Sequence, residues 1–228
     1  MFIGSFYYII IKDFDFRGDG TMILNYKEFK AYLDTLTYRP KLMLHSCCAP
    51  CSSHVLFLLK DYFEITIFYS NDNIYPYEEY ERRLKEEIRF CKEIDSTLQV
   101  IFDPYNEDDF NTTISGMEHL GEKTKRCYAC YKLRLEKTAR KAKELGYEYF
   151  TTTLSISPHK NSEWINEIGR KLENIYQIKY LYSNFKKEEG YKHSIALSKA
   201  YDLYRQDYCG CKYSKEEQER RNEKGKEN

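Results

Sequence analysis

From Lys41 onward, short apolar runs alternate with longer stretches of helical periodicity, and this alternation constrains the fold more than any other feature of the chain. Lys41-Leu-Met-Leu-His-Ser46 is a short run that stops at a cysteine triplet and reads as a buried strand. Residues 53 to 61 then read as a helix. Glu64-Ile-Thr-Ile-Phe-Tyr-Ser70, rich in β-branched and aromatic residues, reads as a second strand emptying into Asn71-Asp72-Asn73. Tyr77, Tyr80, Leu84, Ile88 and Cys91 recur at helical spacing on a charged background, which predicts an amphipathic helix. Gln99-Val-Ile-Phe102, closed by Asp103-Pro104, makes a third strand.

The pattern continues with a short helix and loop within 107 to 125, and a long helix from about Tyr128 to Leu145 that Gly146 stops. A strand follows over Tyr147 to Leu154. Asn161 or Ser162 caps the next helix, Ile178 to Tyr182 is the last strand, and a helix runs from about Ser194 to Tyr204. Such an order builds a mostly parallel sheet covered on both faces, a three-layer α/β/α sandwich of Rossmann-like type. Ligands in these sheets gather at the carboxyl ends of the strands, which here puts Cys47 to Cys51, the Asn71 loop, Asp103 and Thr152 to Asn161 on one edge.

Three sections are expected: residues 1 to 40 as an N-terminal extension and helix, 41 to 214 as the α/β domain, and 215 to 228 as a charged tail that frays. Within the first, residues 1 to 21 read as a loose extension, with Met22 an alternative start. Asp13 to Gly20 resembles a calcium loop at a glance. Arg17 and Leu24, however, fall at the fifth and twelfth positions, where oxygen ligands are required, and the motif is rejected.

Composition narrows the function. With 228 residues, 42% of them hydrophobic, the chain can supply a real core, which excludes a disordered tail. Thirty-six Lys plus Arg balance 36 Asp plus Glu, so a polyanionic partner must be met by a local patch. The candidates are Arg82-Arg83-Lys85, Lys123-Lys125-Arg126, Lys132-Arg134 and Lys186-Lys187. No apolar run approaches the roughly 18 residues of a membrane span, and no basic n-region or small-residue cleavage site marks the start. A cytoplasmic protein without membrane contact is expected.

Eight cysteines in such a chain point to metal or redox chemistry rather than to disulfide staples. Seven are clustered: Cys47, Cys48 and Cys51, then Cys127 and Cys130, then Cys209 and Cys211 around Gly210. A Cys-x-x-Cys pair opening a helix puts both sulfurs on one side of the first turn, as Cys127 and Cys130 do. Two plus two thiolates complete the ligands of zinc or of a 4Fe-4S cluster, and spacing does not choose between them. The spare thiols Cys51, Cys209 and Cys211 favour electron traffic over a structural zinc with incidental buried thiols. Cys91, on the apolar face of a helix, reads as core. His45 reads equally as a satisfied core histidine or as a donor to a neighbouring sulfur. Thr152, Ser155, His159, Lys160 and Asn161, at the ligand edge, are candidate substrate contacts, though the hydroxyls also suit an ordinary strand end. The 23 tyrosines are a large supply of stacking surface for bases, much of it needed by the core.

Taken together, Leu44-His-Ser-Cys-Cys-Ala-Pro-Cys-Ser52, Asn73-Ile-Tyr-Pro76, Arg126-Cys-Tyr-Ala-Cys-Tyr131, Phe150-Thr-Thr-Thr-Leu-Ser-Ile-Ser-Pro-His-Lys-Asn161 and Tyr204-Arg-Gln-Asp-Tyr-Cys-Gly-Cys-Lys-Tyr-Ser214 resemble the cobalamin-independent epoxyqueuosine reductases, the QueH family. The resemblance implies a nucleotide-hydrolase-like α/β fold and a two-electron reduction of the epoxide of epoxyqueuosine, at the wobble position of tRNA, to the alkene of queuosine. It implies a 4Fe-4S cluster on Cys47, Cys48, Cys127 and Cys130. Cys209 and Cys211 would then be a redox-active pair, able to form a disulfide, or ligands of a second iron that Cys51 could complete. An Asp ligand is implied in part of the family, for which Asp103 is a weak candidate. No Gly-x-Gly-x-x-Gly occurs, so electrons are expected from an external donor. Two rivals remain. A tRNA-thiolating enzyme would need a Ser-Gly-Gly-x-Asp-Ser loop where Cys47 to Ser52 stands, and a zinc-bound RNA-binding module would need no iron.

Overall fold

A computed structural model describes residues 25–182 and 184–224. The calcium-like stretch, the extension over residues 1 to 21 and the alternative start at Met22 lie outside the described residues. The chain forms α1 (Tyr26–Leu33), β1 (Lys41–His45), α2 (Ala49–Leu59), β2 (Glu64–Tyr69), α3 (Tyr77–Ile94), β3 (Gln99–Phe102) and α4 (Glu107–Thr113). It continues with α5 (Lys125–Glu144), β4 (Tyr149–Thr152), a 3-10 turn over Thr153–Ile156, α6 (Ser162–Tyr176), β5 (Lys179–Tyr180), α7 (Gly190–Ala200) and α8 (Lys212–Lys224).

All pairings are parallel, in the order β3-β2-β1-β4-β5, with Leu44 opposite Ile67 on one side and Thr151 on the other. Because side chains alternate along a strand, the sheet has two apolar faces, and both are covered. Leu42, Leu44, Ile65, Ile67 and Tyr149 pack with Phe29, Val55, Leu56 and Phe90 of α1, α2 and α3. Met43, Phe68 and Phe150 pack on the other side with Leu135, Ala139, Ile165 and Ile168 of α5 and α6. This is the expected three-layer parallel α/β architecture. Leaving the sheet from β1, the chain runs outward to β2 and β3. It then crosses back to β4 and β5, so the direction of winding reverses between β1 and β4.

Several expected boundaries move. The helix expected over residues 53 to 61 starts at Ala49, because Pro50 is at home in the first turn and extended Cys48 serves as its cap. The fourth strand stops at Thr152, whose side-chain oxygen accepts from the Leu154 amide and opens the 3-10 turn. The helix expected from Ser194 starts at Gly190. Asn161 caps α6 as expected, its Oδ1 accepting from the Glu163 and Trp164 amides at 2.9 and 3.2 Å. Residues 215 to 224 of the charged tail belong to α8, where Glu217 meets Arg126 at 3.0 Å. Among the described residues no helix is long and apolar enough to cross a membrane.

Candidate metal centre and its cavity

The reversal between β1 and β4 opens a crevice beyond their carboxyl ends, and the chain fills it with sulfur. Cys47 and Cys48 lie in the turn from β1 to α2, and Cys51 in the first turn of α2. Their sulfurs lie within 4.8 Å of one another, close enough to bind one metal. Two thiolates on a tetrahedral ion at about 2.3 Å stand about 3.8 Å apart, and Cys47 and Cys48 are separated by 3.8 Å. Cys47 also approaches Thr153 Oγ1, just past β4, at 3.9 Å.

A helix that leads into a parallel strand runs antiparallel to it, so α5 starts at this same edge. Its first turn carries Cys127 and Cys130. Positions 127, 130, 131 and 134 share one helical face, which adds Tyr131 and Arg134 to the site. The third segment returns after α7. Gly210 accepts from the Tyr75 amide at 2.8 Å and Tyr208 Oη donates to the Tyr75 carbonyl at 2.6 Å, so the Cys209 to Cys211 loop is pinned beside the β2–α3 connection. Cys209 is exposed, while Cys211 is buried with Phe110, Ile114 and the partly buried Cys130. All eight cysteines are free thiols.

A cavity of about 310 Å³ joins these segments. Cys51, Cys127 and Cys209 line it, one thiol from each cluster, together with Tyr131, His159 and Lys160. Of the candidate substrate contacts, His159 and Lys160 therefore face the cavity. Thr152 and Ser155 are fully buried and bonded within the fold, to His45 Nδ1 at 2.8 Å and to the Phe185 amide at 3.2 Å. Asn161 caps α6. Asp103 pairs with Lys141 at 3.9 Å. Cys91 is fully buried in the core, as expected.

Electrostatics ties the sulfurs together. Cys47 accepts hydrogen bonds from Cys48 and Cys51, and these hold its thiol well below the usual range, with Lys160 and Arg134 adding to the effect. Burial and the charge on Cys47 push Cys48 up to about 12. Burial likewise pushes Cys130 up to about 12, with Arg134 pulling against it. Arg134 thus acts on the first and second clusters at once. It is buried, with Nη2 donating to Asn71 Oδ1 at 2.5 Å and Nε donating to His45 Nε2 at 3.3 Å. His45 Nδ1 lies 2.8 Å from Thr152 Oγ1 and Nε2 3.2 Å from the Ser70 carbonyl, and burial, with Arg134 beside it, pushes its pKa down to about 3, which keeps the ring neutral. For Lys160, burial disfavours the charge, but the sulfurs of Cys209, Cys47 and Cys51 outweigh it and its pKa is raised.

Sequence reasoning gave no role at the centre to Arg134, or to Gln206, which it quoted only within the Tyr204 to Ser214 stretch. Gln206 Nε2 donates to Cys48 Sγ at 3.1 Å, and its buried Oε1 has no partner among the described residues. The helical face shared with Cys127 could have revealed Arg134. Nothing in the sequence places Gln206 against a cysteine 158 positions away.

The family described as epoxyqueuosine reductase QueH matches residues 42–217. The chain is 42% identical over 180 residues to the epoxyqueuosine reductase QueH of Streptococcus pyogenes serotype M1, a match covering 77% of this chain and 71% of that protein. It is 41% identical over 182 residues to that of Staphylococcus aureus strain Mu50, covering 77% and 76%. It is 36% identical over 175 residues to that of Thermotoga maritima, covering 75% and 88%.

Proposed function

Because the chain belongs to the QueH family of epoxyqueuosine reductases, and is therefore an oxidoreductase of queuosine biosynthesis, we propose that it reduces epoxyqueuosine in the wobble position of tRNA at the cavity between β1 and β4. Cys47, Cys48, Cys127 and Cys130 hold a 4Fe-4S cluster, with Cys209 and Cys211 as a redox pair or, with Cys51, as the ligands of a second iron. One observation carries this reading: each of the three cysteine clusters contributes a residue, Cys51, Cys127 or Cys209, to the lining of one cavity. The donor set suits iron and sulfide, since thiolates are their usual ligands and seven thiols exceed what one structural zinc requires.

Turning an epoxide into an alkene consumes two electrons and two protons and releases the oxygen as water. When bound, the cluster supplies electrons and a Lewis acid. The chain's own residues do the rest. Lys160 Nζ, kept charged by the surrounding sulfurs, stabilises the alkoxide that develops as the carbon–oxygen bond opens and holds a proton for it. Tyr131, Ile156, Tyr191 and Tyr208 wall the reacting ring off from water. Gln206 orients Cys48. Electrons come from an external donor.

Cys127→Ala should lose iron, cluster absorption and reductase activity together, as read by anaerobic iron and sulfide analysis and by nucleoside mass spectrometry of the tRNA. Full activity in a metal-free variant would overturn the assignment, and zinc without iron in the anaerobic parent would favour the RNA-binding module instead.

A further inference from the structure

Several surface cations of this protein are matched by a carboxylate: Lys30 meets Glu188 at 2.9 Å, Arg89 meets Glu86 and Glu93 at 2.9 and 2.7 Å, and Lys171 meets Glu167 at 2.5 Å. Lys186 and Lys187 stand next to a cation of the cavity lining, Lys160. Neither forms an ion pair among the described residues. Lys186 Nζ donates to the backbone carbonyl of Lys160 at 2.8 Å, which places its ammonium beside the cavity wall. Burial, then Lys187 and Lys160, press its pKa down, as expected where three cations crowd together.

The two residues that follow in the chain are acids, yet they do not neutralise the pair. Glu188 is turned to Lys30 at 2.9 Å and Glu189 to Lys192. Both have left-handed backbones, with φ of 47° and 64°, a conformation non-glycine residues adopt at some cost. The Lys-Lys-Glu-Glu run is thereby split, with its anions directed to Lys30 and Lys192 and its cations left without a carboxylate among the described residues. Arg205, also on the cavity wall, bonds Ser198 Oγ at 3.0 Å and has no carboxylate partner among the described residues. Of the wall's carboxylates, Glu122 is engaged by Arg221 at 3.5 Å, which leaves Asp207. The exposed large apolar residues, Tyr38, Tyr77, Phe102, Leu145 and Ile175, are absent from this wall. The wall carries Lys123, Lys160, Arg205 and Arg221 against Glu122 and Asp207, and this surplus of positive charge beside the aromatic rings of Tyr131, Tyr191 and Tyr208 suits a phosphodiester strand and its bases.

We infer that Lys186 and Lys187 form a phosphate-binding step at the lip of the cavity, gripping the RNA backbone next to the nucleotide that enters it. The inference rests on the reductase reading and adds the contact that holds the strand in place. Each phosphate of a single strand that the protein ceases to neutralise lowers the slope of log K against log salt by about 0.7, so Lys186→Gln with Lys187→Gln should lower it by about 1.4. Binding of iron-loaded protein to epoxyqueuosine-bearing tRNA is measured across a salt series. For Lys187→Gln, which leaves the contact of Lys186 with Lys160 in place, KM for the tRNA should rise while kcat at saturation and iron content hold. Lys187→Gln alone, at an exposed position, should lower the slope by about 0.7, and the double arginine variant should keep the parent slope. A parent that binds while both glutamine variants keep its slope overturns the inference alone. So does an acidic peptide that competes better than RNA of equal charge. A parent that binds no tRNA overturns the reductase reading and this inference with it.

Discussion

Glu87 is fully buried in the middle of a helix rich in charge, and its Oε2 accepts from Ser46 Oγ at 3.0 Å. Burial pushes its pKa up from 4.5 to about 7, against the hydroxyls of Ser52 and Ser46, which favour the anion. The native state therefore keeps a proton that the unfolded chain releases between those values. By linkage, the contribution of Glu87 to stability falls as pH rises through this window, by on the order of 3 kcal/mol. His54 acts in the opposite sense: burial and the nearby His193 push its pKa down to about 4, so its contribution is lost as pH falls below the ordinary histidine value. The two slopes partly cancel in the parent, and the clean measurement is a difference. In urea unfolding, the parent should lose stability relative to Glu87→Gln as pH is raised from about 5 to 8. A difference that stays flat would mean that Glu87 is ionised in the folded protein. The sequence hid this residue because a glutamate between charged neighbours reads as solvated.

At the scale of elements, α3 shows both what was legible and why the rest was not. Its existence followed from apolar spacing, but the face was misjudged. The buried positions are Tyr80, Arg83, Glu87, Phe90 and Cys91, whereas the expected Leu84 and Ile88 lie at the half-buried edges. Apolar periodicity cannot find a stripe whose middle is charged. That stripe matters to the site, because Arg83 donates from Nε to Glu79 at 2.7 Å and from Nη1 to the Cys209 carbonyl at 3.2 Å. The Cys-Gly-Cys loop thus leans on α3, and Gly210 lets it. At φ 141° no side chain sits easily, and a Cβ would come within 3.2 Å of Arg83 Nη1 and Ile74 Cγ1. Gly210→Ala should therefore destabilise the protein by about 1–3 kcal/mol and change the alkylation rate of Cys209. Parent-like stability and thiol reactivity would show that the loop has another support. In α5, by contrast, the sequence revealed the cysteine pair at a helix start, and the structure extends that face to Arg134 through the same periodicity.

For the whole molecule, the alternation of strands and helices was enough to forecast a parallel sheet and the edge where ligands gather, since connections between parallel strands leave little choice. The convergence of Cys51, Cys127 and Cys209 on one cavity came from tertiary packing, which joins segments whose local sequences carry no trace of one another. This arrangement has a thermodynamic consequence. The proposed centre, spanning all three segments, would tie α2, α5 and the Cys209 loop together only in the folded state, so loading should stabilise the fold as a whole. At a hundredfold excess over its dissociation constant, a ligand of the native state adds about 2.7 kcal/mol. For a protein of this size that is a rise in Tm of about 5–10 °C. Protein reconstituted anaerobically with iron and sulfide should melt higher than chelator-treated protein by that margin, and Cys127→Ala should abolish the increment. An increment that survives Cys127→Ala intact would confine the metal to Cys47, Cys48 and Cys51, whose sulfurs already lie within 4.8 Å of one another. In that case α5 would contribute cavity wall and charge but no ligand.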